Sequence, residues 1–366
     1  MFDVCLNVFL TSSCQDLSFM HPTLQPALEQ LLAHQDLSSL QVQKCIGAIM
    51  DGECEPVEIA AWLTAMSCKR AAAIELVGAA QAMRDRASRM ASRRRPLLDT
   101  CGTGGDKLHT FNISTATAIV AAACGINVAK HGNRSVSSSS GSADVLEALG
   151  VNIQLNSDQC AQCLDEIGIA FCFAPLVHGA MKHAAPIRRT LGFPTIFNLL
   201  GPLTNPAGAE YQLLGASSDE RARLLAHALS VLGCRRAIVV CGNNELDEVC
   251  LWGPTQAFDV SAGKVVPHTW TNEDFDLPTA EVQNLRVKSA EQSAAMVRRV
   301  LAGEDCDATN IVIANSAAAL LAAEKATDLK SAVRTVRITL TDGIAESKLN
   351  DLVEWTQSVA PPAAAT

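Results

Sequence analysis

From about Pro22 to Ala91, apolar residues recur at spacings of three and four, through PALEQLLAHQDL, SSLQVQKCIGAIMDG, PVEIAAWLTAM and AAAIELVGAAQAMRDRAS. That period gathers them on one face of a helix, so this part is expected to be helical throughout. From Pro96 the pattern changes. Short apolar runs at PLLDT, INVAKH, GIAFCF, RAIVVCG and KVVPHTW alternate with helical stretches, which predicts a mainly parallel central sheet flanked by helices. The stretch from Pro175 to Pro206 reads as helical again, broken by turn residues in LGFPTIFNLLGPLTNP. The expected fold class is therefore α/β, a small all-helical part joined to a large part with the sheet. Ligands in such sheets sit beyond the carboxyl ends of the strands.

The polar breaks in this pattern carry the candidate chemistry. PLLDT runs into CGTGGD and then into the helix start Asn112-Ile113-Ser114-Thr115, and INVAKH runs into NRSVSSSSGS and a further helix. Two consecutive strand-loop-helix units thus each put small residues, hydroxyls and free backbone N–H groups at a helix start. The first turn of a helix has N–H groups without intrahelical partners and roughly half a positive charge, so an oxyanion there satisfies both. Gly102, Gly104 and Gly105 permit close approach and positive φ, and Ser114 and Thr115 offer hydroxyls. A dinucleotide-binding turn would need glycine where Lys107 stands, and no Gly-Lys-Ser/Thr follows for a P-loop. What remains is a phosphate site of another kind.

Composition narrows the partners. The chain of 366 residues is 48% hydrophobic and 18% charged, which fits a folded protein with a large core. Its formal charge of −9 disfavours a general nucleic-acid or anionic-membrane binder, so phosphate affinity must be local, at Lys107, Lys130 and Arg134. Arg93, Arg94 and Arg95 read as a solvated boundary between the two parts. The N-terminus has no basic leader, and no apolar span is long enough for a membrane helix. The 14 cysteines are scattered, and the one CxxC, Cys160 and Cys163, lies in a helical pattern without a second ligand pair, so reduced cytoplasmic thiols are expected.

Five motifs occur in order: DTCGTGGD (Asp99 to Asp106), NIST (Asn112 to Thr115), KHGNRSVSS (Lys130 to Ser138), GSADVLEALG with Ser142, and HAAPIRRTLGFPTIFNLLGPLTNP (His183 to Pro206). Together they resemble the anthranilate phosphoribosyltransferase family, of the nucleoside phosphorylase/phosphoribosyltransferase superfamily. The acidic pair Asp247-Glu248 falls where that family has its magnesium pair. The resemblance implies transfer of the phosphoribosyl group of 5-phosphoribosyl 1-diphosphate to the amino group of anthranilate, with release of diphosphate, in tryptophan biosynthesis. It implies Mg²⁺, two ions per active site, and a cytoplasmic homodimer formed through the helical part, without nucleic-acid or membrane partners.

Site residues follow from the same resemblance. Gly102, Gly105, Asp106, Thr110 and Asn112, Ile113, Ser114 and Thr115 match positions that hold the diphosphate-bearing substrate. Lys130, His131, Gly132, Asn133, Arg134, Ser135, Val136, Ser137, Ser138 and Ser142 match its second loop, whose lysine meets sugar phosphate or diphosphate. Gly102, Asn133 and Arg188 match anthranilate contacts, Arg188 being suited to a bidentate grip on the carboxylate. Ser114, Asp247 and Glu248 match metal ligands. No side chain is expected to act as general acid or base, because an aromatic amine is already neutral. From the residues alone, Arg188 and Arg189 read equally as a solvated basic face, and Asp106 as an aspartate closing its own turn.

The resemblance further implies a discontinuous helical domain, residues 20–92 with 175–206, hinged to an α/β domain of residues 93–174 and 207–366. Residues 1–19 match nothing in the family and are expected to be dispensable, so that a chain started at Met20 stays soluble and active. Two departures stand out: Ser139 where relatives often carry a cation, and Gly179 where they carry proline. The alternatives are a pyrimidine-nucleoside phosphorylase of the same superfamily, which would not need the magnesium pair, and a non-catalytic nucleic-acid-binding relative, which would need a basic surface.

Overall fold

The computed structural model describes residues 20–135 and 141–359. The chain opens with four helices, α1 (Leu24–Leu32), α2 (Ser39–Asp51), α3 (Pro56–Lys69) and α4 (Ala73–Arg86). Local signals set their ends. The Ser38 hydroxyl accepts from Gln41 N while Gln41 answers to Ser38 N, and Gly52 closes α2 at φ 78°. Pro56 begins α3, where its missing N–H costs nothing.

Then come β1 (Leu97–Gly102), α5 (Ile113–Ala123), β2 (Asn127–Gly132), α6 (Ser142–Ala148), α7 (Ser157–Ile167) and β3 (Ile169–Phe173). Three short helices follow, α8 (Ala174–Val177), α9 (Ala185–Leu191) and α10 (Phe197–Leu200), and then β4 (Tyr211–Gly215), α11 (Asp219–Leu232), β5 (Arg236–Gly242), β6 (Thr255–Ser261) and β7 (Lys264–Trp270). The chain closes with α12 (Ala290–Leu301), α13 (Asp307–Ala322), α14 (Leu329–Thr341) and α15 (Ile344–Ser358). The sheet has the order β3-β2-β1-β4-β5-β6-β7; β1 to β5 are parallel, and β6 and β7 are antiparallel.

Two strands escape the expectation from the sequence, and each carries a polar side chain within its apolar run. β4, YQLLG, is buried on both faces and so shows no alternation; its Gln212 is satisfied internally by the Pro202 carbonyl and Cys101 Sγ. β6 carries Asp259, whose charge is answered by Arg236.

Strand periodicity divides the apolar residues between two cores. Ile238 and Val240 of β5 join the core formed with α5, α12, α13 and α15, whereas Ala237, Val239 and Cys241 join the core of the opening helices and α11. The helical bundle therefore shares its interior with one face of the sheet. The segment after β3 packs back on that bundle: α9 lies against α3 and α10 against α4, and Arg84 Nε donates to the Leu203 carbonyl at 2.7 Å.

Candidate active site

Two neighbouring strands end in glycine, and one aspartate settles on both. A Cβ on Gly102 at the end of β1 would lie 2.4 Å from Asp247 Oδ2, and one on Gly215 at the end of β4 would lie 1.5 Å from the Asp247 carbonyl oxygen. Gly102 is thus required for space, not for an unusual φ. The loop beyond it does turn through the left-handed region, at Gly104 (φ 67°) and Gly105 (φ 81°) and also at Lys107 (φ 62°) and His109 (φ 58°). Gly104 N donates to Asp247 Oδ2 at 2.7 Å, which pins the near end of the loop.

The far end is held by a segment no motif singled out. Phe111 N donates to the Leu285 carbonyl at 2.8 Å and Val287 N to the His109 carbonyl at 2.9 Å, with Thr110 directly opposite Arg286 in an antiparallel bridge. Asn112 N then donates to Ser293 Oγ at 2.9 Å, and Asn112 Oδ1 accepts from Thr115 N at 3.0 Å, capping α5. The only sequence signal for this clasp is the alternation of buried Leu285 and Val287 with exposed Arg286 and Lys288.

Acids gather where the loops meet. Burial first, then the Asp106 charge, pushes the Asp247 carboxyl up to about 7. Burial and then Asp247 raise Glu248 far above the ordinary range, and Asp106 is raised by burial. Below them Lys130 is sealed in at 3% exposure, its ammonium donating to the Thr100 carbonyl and, at 3.1 Å, to Ser114 Oγ. Burial pulls Lys130 down and the buried Asp99 beside it holds it up. Ser114 Oγ donates to Asn112 Oδ1 at 3.3 Å, which leaves one of its lone pairs free.

The expected residues divide by exposure. Gly102, Gly105, Asp106, Thr110, Asn112, Ser114 and Asp247 keep some exposure at the carboxyl edge of the sheet, with Gly132, Asn133 and Ser135 on the adjoining loop and Ser142 at the start of α6, whereas Glu248 is buried. A Cβ on Gly132 would meet Ser142 Oγ at 2.1 Å, so the second loop closes tightly on the start of α6. Ile113, Thr115, Lys130 and His131 turn their side chains into the protein, leaving only their backbones to the site. The Lys130 ammonium is held below the loops, bonded to the Thr100 carbonyl and to Ser114 Oγ.

Arg134 is tied by Asp144 at 3.0 Å and by Glu147, and lies over the Phe173 ring. Val136, Ser137 and Ser138, like residues 1–19, lie outside the described residues. Arg188 packs over the Phe197 ring, 5.2 Å from its centroid, and donates weakly to Asn198 Oδ1 at 3.4 Å. It is half-buried while Arg189 is exposed, so the two do not form one solvated face.

His131 and His178 meet edge to face, 5.1 Å apart. His131 Nδ1 sits 3.1 Å from the Gly201 carbonyl, and its Nε2 is buried without a partner among the described residues. Burial lowers His131 to about 3 and His178 to about 4. Cys160 and Cys163 are free and buried, bonded to the Phe171 and Ile169 carbonyls.

Known proteins share this arrangement along nearly the whole chain. Residues 25–87 match the helical bundle domain of a glycosyl transferase family, and residues 94–346 match its a/b domain. The anthranilate phosphoribosyltransferase of Moorella thermoacetica is 46% identical over 337 residues, covering 92% of this chain and 99% of its own. The chain belongs to the anthranilate phosphoribosyltransferase family. Solved members have the same fold: the Thermus thermophilus enzyme, at 39% identity, has a TM-score of 0.85 and covers 91% of this chain and 99% of its own. The anthranilate phosphoribosyltransferase of Saccharomyces cerevisiae, solved in complex with PRPP and Mg, is 26% identical with a TM-score of 0.85, covering 92% and 98%.

Proposed function

We infer that the chain catalyses attack of the anthranilate amine on the sugar carbon of 5-phosphoribosyl 1-diphosphate, a step of tryptophan biosynthesis. The new C–N bond forms as the C–O bond to diphosphate breaks, and the amine then gives up a proton. The observation that carries this reading is the glycine loop of β1 pinned to Asp247, in a chain of which 92% matches a family member. An aromatic amine needs no base to become nucleophilic, so the site must align the two substrates and stabilise the leaving group.

The proposed donor site is the loop Gly102 to Thr115, with backbone and hydroxyl groups of Lys130 to Ser138 and Ser142. Its support is the run of left-handed turns at Gly104, Gly105, Lys107 and His109 that leads into the first turn of α5. Asn133 and Arg188 are proposed to hold anthranilate, Arg188 through its carboxylate, with Gly102 beneath. The half-buried guanidinium of Arg188 has no carboxylate partner among the described residues, which suits that role.

Mg²⁺ fits the acids: Asp247 and Glu248 are neighbouring carboxyls raised by burial and by each other's or Asp106's charge, only partly offset by Lys130 and backbone N–H groups, and Ser114 keeps a lone pair. Among the described residues no three or more such ligands close a cage, so diphosphate oxygens and water would complete the shells of the two ions proposed. When bound, the ions would neutralise charge building on the leaving diphosphate.

The proposed domain division joins residues 20–92 with 175–206, supported by the packing of α9 and α10 on α3 and α4. A cytoplasmic homodimer through the helical part is proposed on the exposure of Leu32 (67%), Leu40 (57%) and Val57 (74%). Among the described residues no helix is long and apolar enough to cross a membrane. Steady-state assay with anthranilate plus 5-phosphoribosyl 1-diphosphate, beside thymidine plus phosphate and a DNA titration, tests the reading. Turnover is expected with the first pair alone; phosphorolysis of thymidine or tight DNA binding would overturn it.

A further inference from the structure

The bridge that clasps the glycine loop sets one side chain where no motif placed any. Thr110 and Arg286 are directly opposite, and the flanking bonds, Phe111 N to the Leu285 carbonyl and Val287 N to the His109 carbonyl, make theirs the narrow, non-hydrogen-bonded kind of pair. Side chains of such a pair stand on the same face, in contact range. Leu285 and Val287 are buried on the other face, whereas Arg286 is exposed. Arg286 also lies within electrostatic reach of Glu245, on the same turn as Asp247. Its backbone thus pairs with the glycine loop while its charge is felt on the acidic loop. Among the described residues its guanidinium has no hydrogen-bond or ion-pair partner.

We propose that Arg286 is a further binding residue for the diphosphate group of the phosphoribosyl donor. This rests on the functional reading above. The planar guanidinium fork matches two phosphate oxygens, and a cation beside Thr110 answers the charge that two or three nearby carboxylates would otherwise repel. The clasp uses main-chain atoms of Leu285 and Val287, so a change in the Arg286 side chain leaves it standing.

Arg286→Gln and Arg286→Lys in the full chain test the proposal. For Arg286→Gln, the KM for the donor and the inhibition constant of inorganic diphosphate are expected to rise together, by about 10- to 150-fold. The KM for anthranilate and the melting temperature stay put, and Arg286→Lys recovers part of the loss. A donor KM within about two-fold of wild type overturns the proposal, as does an equal rise for anthranilate with a lowered melting temperature. If the wild-type protein shows no donor-dependent turnover, the functional reading itself fails; an active wild type with an indifferent Arg286→Gln sinks this inference alone.

Discussion

The two edges of the central sheet are built to opposite rules. At the amino edge the strand starts are tied by satisfied charge. Arg236 grips Asp259 through two bonds, at 3.1 and 2.7 Å, and gives a third to the Leu321 carbonyl. Arg235 and the Tyr211 hydroxyl share Glu324, and Glu210 takes Arg95 and the Leu97 N–H. Ser92 and Arg93 overcome partial burial and hold Asp165 at about 2. At the carboxyl edge Asp106, Asp247 and Glu248 crowd together and are pushed upward, and His131 Nε2 is buried without a partner among the described residues. One edge is complete as folded. The other crowds acids together, and on the proposed reading it is a cation bound with the diphosphate that would supply the missing positive charge.

Neutralising the acids at the incomplete edge should have the largest effect. Asp247→Asn with Glu248→Gln is expected to lower kcat/KM by about 100-fold or more, the scale of a lost electrostatic stabiliser. Stability should hold or rise, since like charges have been removed; denaturation and steady-state kinetics on the same preparation decide. Near-normal activity at limiting Mg²⁺ would move the metal site elsewhere.

Arg188→Ala should come next. A charge-assisted bond to a carboxylate is worth about 1.5–3 kcal/mol, or roughly 10- to 150-fold in affinity, so the KM for anthranilate should rise by that factor with the donor KM nearly unchanged. An equal loss for both substrates would point to misfolding.

The histidines make the carboxyl edge sensitive to mild acid. Both have folded values below the ordinary 6.5, so each stays neutral in the fold while the unfolded chain takes up protons. Their contribution is present above pH 6.5 and lost as pH falls toward 4 for His178 and 3 for His131. Asp247, raised, works the other way, so the effect is read as a difference. Wild type minus His178→Asn should shrink by about 1 kcal/mol per pH unit from 6.5 to 4, measured by chemical denaturation. A difference that ignores pH contradicts the burial of a neutral ring. The depressed Asp165 at the amino edge keeps its contribution until pH falls from about 3.8 toward 2.

The smallest effect on chemistry belongs to the amino edge. Arg236→Ala should cost about 1–3 kcal/mol of stability, less than a fully buried pair because both side chains keep about 20% exposure. Its kcat/KM should match wild type. A matching fall in activity would mean that the two edges are not independent.

The sequence made much of this legible, and the limits have physical causes. Period and turn residues revealed the opening helices and five strands, because each has one distinct face or a sharp boundary. Gln212 in β4 and Asp259 in β6 interrupt the apolar runs, and their partners lie elsewhere in the fold. The convergence of Asp247 with the glycine loop followed from both closing carboxyl ends of parallel strands. The Leu285–Val287 clasp, the burial of Lys130 and the ties on Arg134 depend on contacts distant in the chain, which no local pattern records.

The claim that the carboxyl edge is completed by its ligands is tested most directly by thermal melting with 5-phosphoribosyl 1-diphosphate and Mg²⁺, singly and together. Ligand at about 100 times its Kd stabilises by about 2.7 kcal/mol, so the pair should raise the melting temperature of wild type and Arg236→Ala by several degrees. Either component alone should do much less, and Asp247→Asn with Glu248→Gln should lose the joint shift. The same joint shift in that double variant would contradict the account.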